Sequence, residues 1–374
     1  MNSENIKKTV YILGAGFSVD AKAPSQENIL MKCFEKNNEN ANSFKPKTIK
    51  KLKEFLKSNF LLDDDSKMGK MSLEDIFTPL DRSISEKSTF RGLDANAINS
   101  EIENIQYIIG KTISLCIDNN ECEYIKKFAK YLIGKSKLRS NENYSNCDPV
   151  AVISTNWDII LDNAIYRQLQ IIRNENIKAS IGVVDYCCHV SSFYKDDTSV
   201  KPGLRVLGEC GFIVKLIKLH GSLNWLQCNR CMRLYVAFGE KIAINEKRND
   251  CRHCKKNFNK KNSLIPNAIM PTFVKDLSNP QYKLIWQNAG IEISEANKIV
   301  FIGYSLPYAD FEMRQLLTRM MRDDVEIEVV TKPSSENDPE LEALKKKYNS
   351  FFGSRNVCFY PIGAKAYIDS LTNI

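Results

Sequence analysis

The sequence predicts an α/β protein: a parallel, helix-covered sheet, interrupted by a helical insertion and carrying a small four-cysteine zinc ribbon. Short β-rich apolar runs alternate with helical patterns, and each run ends in a polar or glycine-rich turn. That alternation is the pattern of a parallel sheet. Two Cys-x-x-Cys pairs separated by nineteen residues supply the ribbon, because this is the paired-knuckle spacing of tetrahedral zinc.

The run Thr9–Ser18 is apolar and ends in glycines, which reads as a buried strand entering a tight turn. From about Ser25 to Ser145 the pattern turns helical. Apolar residues recur at helical spacing over Ile49–Leu62 and Ile98–Ile133, with breaks expected at Pro79 and around Gly92. Strand character returns at Pro149–Thr155, and a helix follows over Ile159–Leu169. Further strands fit Val214–Leu219, Lys298–Gly303 and Val325–Val330, with helices over about Asp310–Met321 and Pro339–Tyr348. The expected organisation is a sheet domain of residues 1–24 and 149–374, a helical insertion over 25–148, and a zinc module over 226–262. Ligands bind such sheets at the carboxyl ends of the strands. The distinctive polar residues fall there: Ser18, Asn156, Asp158, His220, Ser305 and Thr331.

With 374 residues, 43% of them hydrophobic and 26% charged, the chain has the make-up of a globular protein and not of a disordered or fibrous one. No apolar run approaches the ~20 residues of a membrane span, and no signal-peptide pattern is present. A cytoplasmic protein with no membrane association is expected, so the twelve cysteines read as thiols or metal ligands. Between Cys228 and Lys261 stand ten basic and three acidic residues, a net +7 out of the chain's +8. A module so basic is either a well-solvated metal ribbon or a contact for nucleic acid or an acidic partner.

Cys228, Cys231, Cys251 and Cys254 offer four thiolates, a closed shell with no position for water, so the zinc is expected to be structural. His253 is not needed as a ligand. The turn Gly14-Ala-Gly16-Phe-Ser18 lacks the third glycine of the dinucleotide fingerprint, since Val19 stands there. It fits a phosphate-binding turn or a tight packing turn. Thr155-Asn-Trp-Asp158 places an amide and a carboxylate two residues apart, fit either to hold a substrate or to cap a helix. His220 follows a strand, eight residues before the zinc module. Cys187, Cys188 and His189 read as structural.

Taken in order, these pieces resemble the sirtuin-like superfamily, and more narrowly its bacterial branch with members in antiphage defence. The matching segments are G-A-G-F-S at 14–18, S-T-N-W-D at 154–158 and K-L-H-G-S-L-N-W at 218–225. To them add the two cysteine pairs, I-M-P-T-F-V-K at 269–275 and F-I-G-Y-S-L-P-Y-A-D at 301–310. They span nearly the whole chain. The resemblance implies a Rossmann-like sheet that binds NAD, and cleavage of the nicotinamide–ribose bond. Gly14, Ala15, Gly16 and Ser18 would face the pyrophosphate and ribose. Asn156 and His220 match the family's catalytic amide and histidine. Asp158, with Thr155 beside the amide, would lie near the nicotinamide, and Gly303 and Ser305 would line the adenosine ribose.

Departures from the protein-deacylating members favour water as the acceptor. After the glycine turn those members carry an arginine-containing stretch; here the run is Val19-Asp-Ala-Lys-Ala-Pro-Ser25. Thr155 replaces the glutamine that precedes their asparagine. Their phenylalanine-glycine-glutamate follows the second cysteine pair, whereas Phe238-Gly-Glu240 lies between the pairs. The expected activity is therefore an NAD glycohydrolase, a gated antiphage-defence effector that depletes NAD. The rivals are an NAD-dependent deacylase or ADP-ribosyltransferase, and a non-catalytic NAD or nucleotide sensor with nucleic-acid contact. The partners expected are NAD, further copies of the chain as a homo-oligomer, and a separate DNA-translocase ATPase or phage-derived activator.

Overall fold

The computed structural model describes residues 7–118, 122–138, 148–175, 182–195, 197, 200, 211–238, 250–272, 275, 277, 279–333 and 338–372. Strand β1 (Thr9–Leu13) leads through short 3-10 turns to helices α1 (Ile29–Glu39), α2 (Thr48–Phe60), α3 (Asp65–Gly69), α4 (Leu73–Ser85), α5 (Ala95–Cys116) and α6 (Glu123–Lys137). Next come β2 (Val150–Ser154), α7 (Ile160–Glu175), β3 (Gly182–Asp185), β4 (Val190–Ser192), β5 (Phe212–Lys218), β6 (Gly221–Cys228) and β7 (Leu234–Val236). The chain continues through α8 (Arg252–Phe258), β8 (Leu264–Ala268), α9 (Pro280–Glu295), β9 (Lys298–Ile302) and α10 (Phe311–Met320). It closes with β10 (Glu326–Val330), α11 (Pro339–Phe352), β11 (Val357–Tyr360) and α12 (Gly363–Thr372).

Among the described residues, a seven-stranded sheet runs in the order β11-β10-β9-β1-β2-β5-β3, all pairs parallel. Helices cover it, giving the expected α/β architecture. Strand β1 lies between β2 and β9, with Leu13 opposite both Ser154 and Ile302. The chain builds outward through β2 first and later crosses to β9. The order thus reverses at β1, and the crevice at the strands' carboxyl ends opens there. A second sheet has the order β4-β7-β6-β8; Cys228 ends β6, Cys231 follows before β7, and Cys251 and Cys254 stand at the start of α8.

Among the described residues, apolar side chains form three clusters. The largest sandwiches the parallel sheet and includes α6, whose Tyr124, Phe128 and Leu132 pack under β1. A second gathers α1–α5 and includes Ile159 just before α7, Leu223 of β6 and Met270 just after β8. The third is a small knot around the cysteines. Among the described residues, no helix is long and apolar enough to cross a membrane.

One expectation needs correction. Pro79 does not break the helical region; it sits inside α4. A proline there costs about 3 kcal/mol, but Leu73, Ile76, Phe77 and Leu80 are fully buried on one face. At roughly 1.5–3 kcal/mol each, that burial outweighs the proline. The helical spacing over Ile98–Ile133 is found in most of α5 and most of α6, which part where Ile117 turns to extended backbone.

Candidate active site

The turn after β1 is locked against the turn after β9. Gly14 and Gly16 donate their amides to the carbonyls of Ile302 and Gly303 at 3.0 and 2.9 Å, and Phe17 and Ser18 donate to Gly14 and Ala15. A Cβ on Gly303, whose φ is +61°, would stand 2.2 Å from the Gly16 carbonyl carbon. These glycines serve close packing between two turns. From below, the Tyr124 hydroxyl donates to the Phe17 carbonyl at 2.6 Å.

The end of β2 supplies the amide and the carboxylate. Asn156 donates Nδ2 to the Gly14 carbonyl at 2.9 Å, which leaves its Oδ1 as the group it can offer to a ligand. Ser18 Oγ donates to Asp158 Oδ2 at 2.8 Å, while Oδ1 accepts the Ile160 amide at 3.2 Å and starts α7. Burial raises the Asp158 carboxyl, against the pull of Lys218 and the Ser18 hydroxyl. Lys218 donates to the Asp158 carbonyl at 2.7 Å and pairs with Asp162 at 3.3 Å, and Asp162 in turn accepts the Tyr186 hydroxyl.

His220, at the end of β5, has Nδ1 3.2 Å from the Thr155 carbonyl. A carbonyl only accepts, so Nδ1 carries the hydrogen and Nε2 is the other face of the ring. Asp310 Oδ1 lies 3.3 Å from Nε2 and 3.2 Å from Lys275 Nζ. The Tyr304 hydroxyl donates to Asp310 Oδ2 at 2.7 Å. Burial would raise the Asp310 carboxyl, but His220 once protonated, Lys275 and Tyr304 together outweigh it and hold the group well below the ordinary carboxylate range. Sequence reasoning gave Asp310 and Lys275 no role, although each is the last residue of a motif it quoted.

These groups share one cavity of about 700 Å³, within the usual range of ligand pockets. Ala15, Gly16, Ser18, Thr155, Asn156, Asp158, His220, Gly303 and Ser305 line it. Lys275, Asp310 and Thr331 line it as well. Gly14 does not; it stands behind the wall as the anchor of Asn156. On the far side, Ser72, Leu73, Glu74 and Ile113 of the helical region close the cavity. Phe238 stacks on Tyr166, with ring centroids 4.5 Å apart, and Gly239 and Glu240 lie outside the described residues.

The zinc site is a separate centre. The sulfurs of Cys228, Cys231, Cys251 and Cys254 all lie within 4.8 Å of one another. Cys228 and Cys254 are 3.7 Å apart, and Cys231 and Cys251 3.6 Å. A tetrahedron with Zn–S bonds of about 2.3 Å has an edge of about 3.8 Å, so the four thiols fit structural zinc. Tyr235 sets its hydroxyl 3.3 Å from the Cys251 sulfur. Of the ten basic residues between Cys228 and Lys261, Lys241, Lys247 and Arg248 lie outside the described residues. Arg230 lies over the exposed ring of Phe258 at 4.7 Å. His253 pairs with Asn257, consistent with a role outside the metal shell.

No protein-family model and no curated protein matches the chain. Solved structures of similar layout include a Sir2 homolog–NAD complex, at 13% identity and a TM-score of 0.44, covering 98% of this chain and 88% of that one. A Sir2–p53 peptide–NAD+ complex matches at 13% identity and a TM-score of 0.42, covering 98% and 92%. A mutant Sir2 homologue with 2'-O-acetyl ADP-ribose matches at 11% identity and a TM-score of 0.44, covering 98% and 91%. At such values, the chemistry of the pocket rests on its own residues.

Proposed function

We propose that this protein hydrolyses NAD at the nicotinamide–ribose bond, releasing nicotinamide and ADP-ribose. The observation that carries the reading is the meeting of Asn156 and His220 in one cavity at the point where the strand order reverses. Apart from the two cysteine pairs, each motif that resembles the sirtuin-like set contributes residues to the same cavity.

The chemistry divides among few residues. The C1'–N bond breaks with its electron pair passing to the pyridinium nitrogen, which leaves as neutral nicotinamide and an oxocarbenium-like sugar. Catalysis then needs positioning and charge stabilisation more than a strong nucleophile. Asn156, fixed through Nδ2, offers Oδ1 to the attacking water or to the nicotinamide carboxamide. His220, with its hydrogen on Nδ1, accepts at Nε2 the proton lost by water or by a ribose hydroxyl. Water oxygen forms the new bond to C1'. Ala15, Gly16, Ser18, Gly303 and Ser305 then border the phosphates and the adenosine ribose, with Thr155 and Asp158 toward the nicotinamide.

An NAD hydrolase with no acceptor to wait for would drain its host, so restraint belongs to the same reading. The helical region and the basic zinc module are the surfaces on which self-assembly, a DNA-translocase ATPase or a phage-derived activator would act in antiphage defence. The deciding experiment is chromatography of NAD incubated with the purified protein and with His220→Ala, with no protein substrate. Equimolar nicotinamide and ADP-ribose from the wild type alone is expected. NAD consumed only when an acylated peptide or a protein acceptor is added would replace the reading with deacylation or ADP-ribosyl transfer. NAD intact under every condition, including lysate of phage-infected cells, would replace it with a sensor.

A further inference from the structure

We propose that Asp310 is the positioning residue of His220: its carboxylate orients the imidazole and balances the positive charge that the ring acquires when Nε2 takes up a proton. This rests on the hydrolytic role given to His220 above. Nδ1 is committed to the Thr155 carbonyl, so in the neutral ring the lone pair is on Nε2. Nε2 is buried without a hydrogen-bond partner, and so is Asp310 Oδ1, 3.3 Å away. Two acceptors thus face each other, and a proton arriving on Nε2 converts the contact into an ion pair in a site shielded from water, where such a pair is strengthened.

The carboxylate is itself held from several sides. Tyr304 donates to Oδ2, and the Tyr304 carbonyl in turn accepts the Tyr348 hydroxyl at 2.7 Å. The Asp310 carbonyl accepts the Arg314 amide at the start of α10. Lys275 Nζ shares Oδ1 from 3.2 Å and pairs with Glu312 at 2.6 Å. The charged groups facing His220 through this contact are therefore Asp310 and Lys275, with Glu312 behind the lysine. On its other face the imidazole meets the Thr155 carbonyl, and the Trp286 ring stands 6.4 Å from it. Lys275 opposes Asp310: it keeps the carboxylate ionised and draws on the same oxygen that would receive the imidazolium.

The opposition gives a test with signs in both directions. The chain holds three histidines, His189, His220 and His253, so the His220 imidazole resonance is assigned by its loss in His220→Ala. Its pH titration is followed by NMR in the protein without NAD. Asp310→Asn is expected to lower the His220 midpoint by about one pH unit or more, Lys275→Met to raise it, and Asp310→Glu to restore part of the loss. In turnover, Asp310→Asn is expected to lower kcat about 100-fold with KM for NAD changed less than about threefold, and to move the acid limb of the pH–rate profile to lower pH. An unchanged His220 midpoint in folded Asp310→Asn would overturn the proposal. If that variant does not fold, an unchanged midpoint in Lys275→Met overturns it equally. Shifted midpoints in a wild-type protein that never cleaves NAD would refute the hydrolase and leave the pairing of Asp310 with His220 standing.

Discussion

Asn156 and Gly14 are 142 residues apart and joined by a 2.9 Å hydrogen bond from the amide Nδ2 to the glycine carbonyl. That bond ties the end of β2 to the end of β1 and decides which atom of Asn156 is left for the cavity. Asn156→Asp keeps the shape but sets an acceptor against an acceptor, so the side chain must turn away. Turnover is expected to fall by about 100-fold or more, with about 1–3 kcal/mol of stability lost as well. Nicotinamide release and urea unfolding read the two effects. Near-normal turnover would remove the tether from the mechanism.

Gly303 and Gly353 both have positive φ, +61° and +64°, but a Cβ at Gly303 meets backbone at 2.2 Å, whereas one at Gly353 meets nothing within 4 Å. Gly353, with ψ −122°, lies outside the left-handed helical well, and Gly353→Ala should therefore cost only backbone strain, about 1–3 kcal/mol. Gly303→Ala adds a collision between the turns after β1 and β9, for a total of about 3–5 kcal/mol, and under the proposed function should weaken NAD binding because the cavity wall moves. Urea unfolding of both variants separates the contributions; equal losses would show that the turns are free to part.

Much of this was legible in the sequence because the signals are local. The strands β1, β2, β5, β9 and β10 are short apolar runs with turn residues at their ends, and the cysteine spacing gives the metal shell. The strand-end residues Ser18, Asn156, Asp158 and His220 do line one cavity. What stayed hidden depends on distant pairing. Asp310 lies eight residues beyond its strand, and only the fold of the 303–310 loop brings it to His220, 90 residues earlier in the chain. Strand β11 alternates half-buried and exposed residues, too short a pattern to declare itself. Pro79 misled because propensity is a local rule, and the buried face of α4 overrides it.

Among the described residues, the knot around the cysteines contains little else: Leu226, Tyr235 and Leu264 are its other buried members. So small a cluster does not hold its fold by apolar burial alone, and metal binding of this kind contributes directly to folding. Cys231→Ser, or treatment with a strong chelator, is expected to remove one zinc per chain and unfold the module at a lower temperature than the parallel sheet. Metal analysis with a thermal melt checks this, and a fully folded wild type free of metal would exclude the ribbon.

Asp310 and Asp158 are shifted in opposite directions, which makes acid stability informative. His220 in its protonated form, Lys275 and Tyr304 hold the Asp310 carboxyl below its ordinary range despite burial, whereas burial lifts Asp158 above it. A depressed carboxyl stabilises the fold above its unfolded-state value of about 3.9, and that contribution is lost as pH falls toward the folded value. A raised one acts oppositely, its burden appearing as pH rises through the folded value. The stability lost in Asp310→Asn should therefore be greatest at about pH 7 and shrink at about pH 3. For Asp158→Asn the wild type should compare best at about pH 3 and lose ground toward about pH 7. Urea unfolding at the two pH values measures both. Parallel curves for the two variants would mean that the two carboxyls are not shifted in opposite directions.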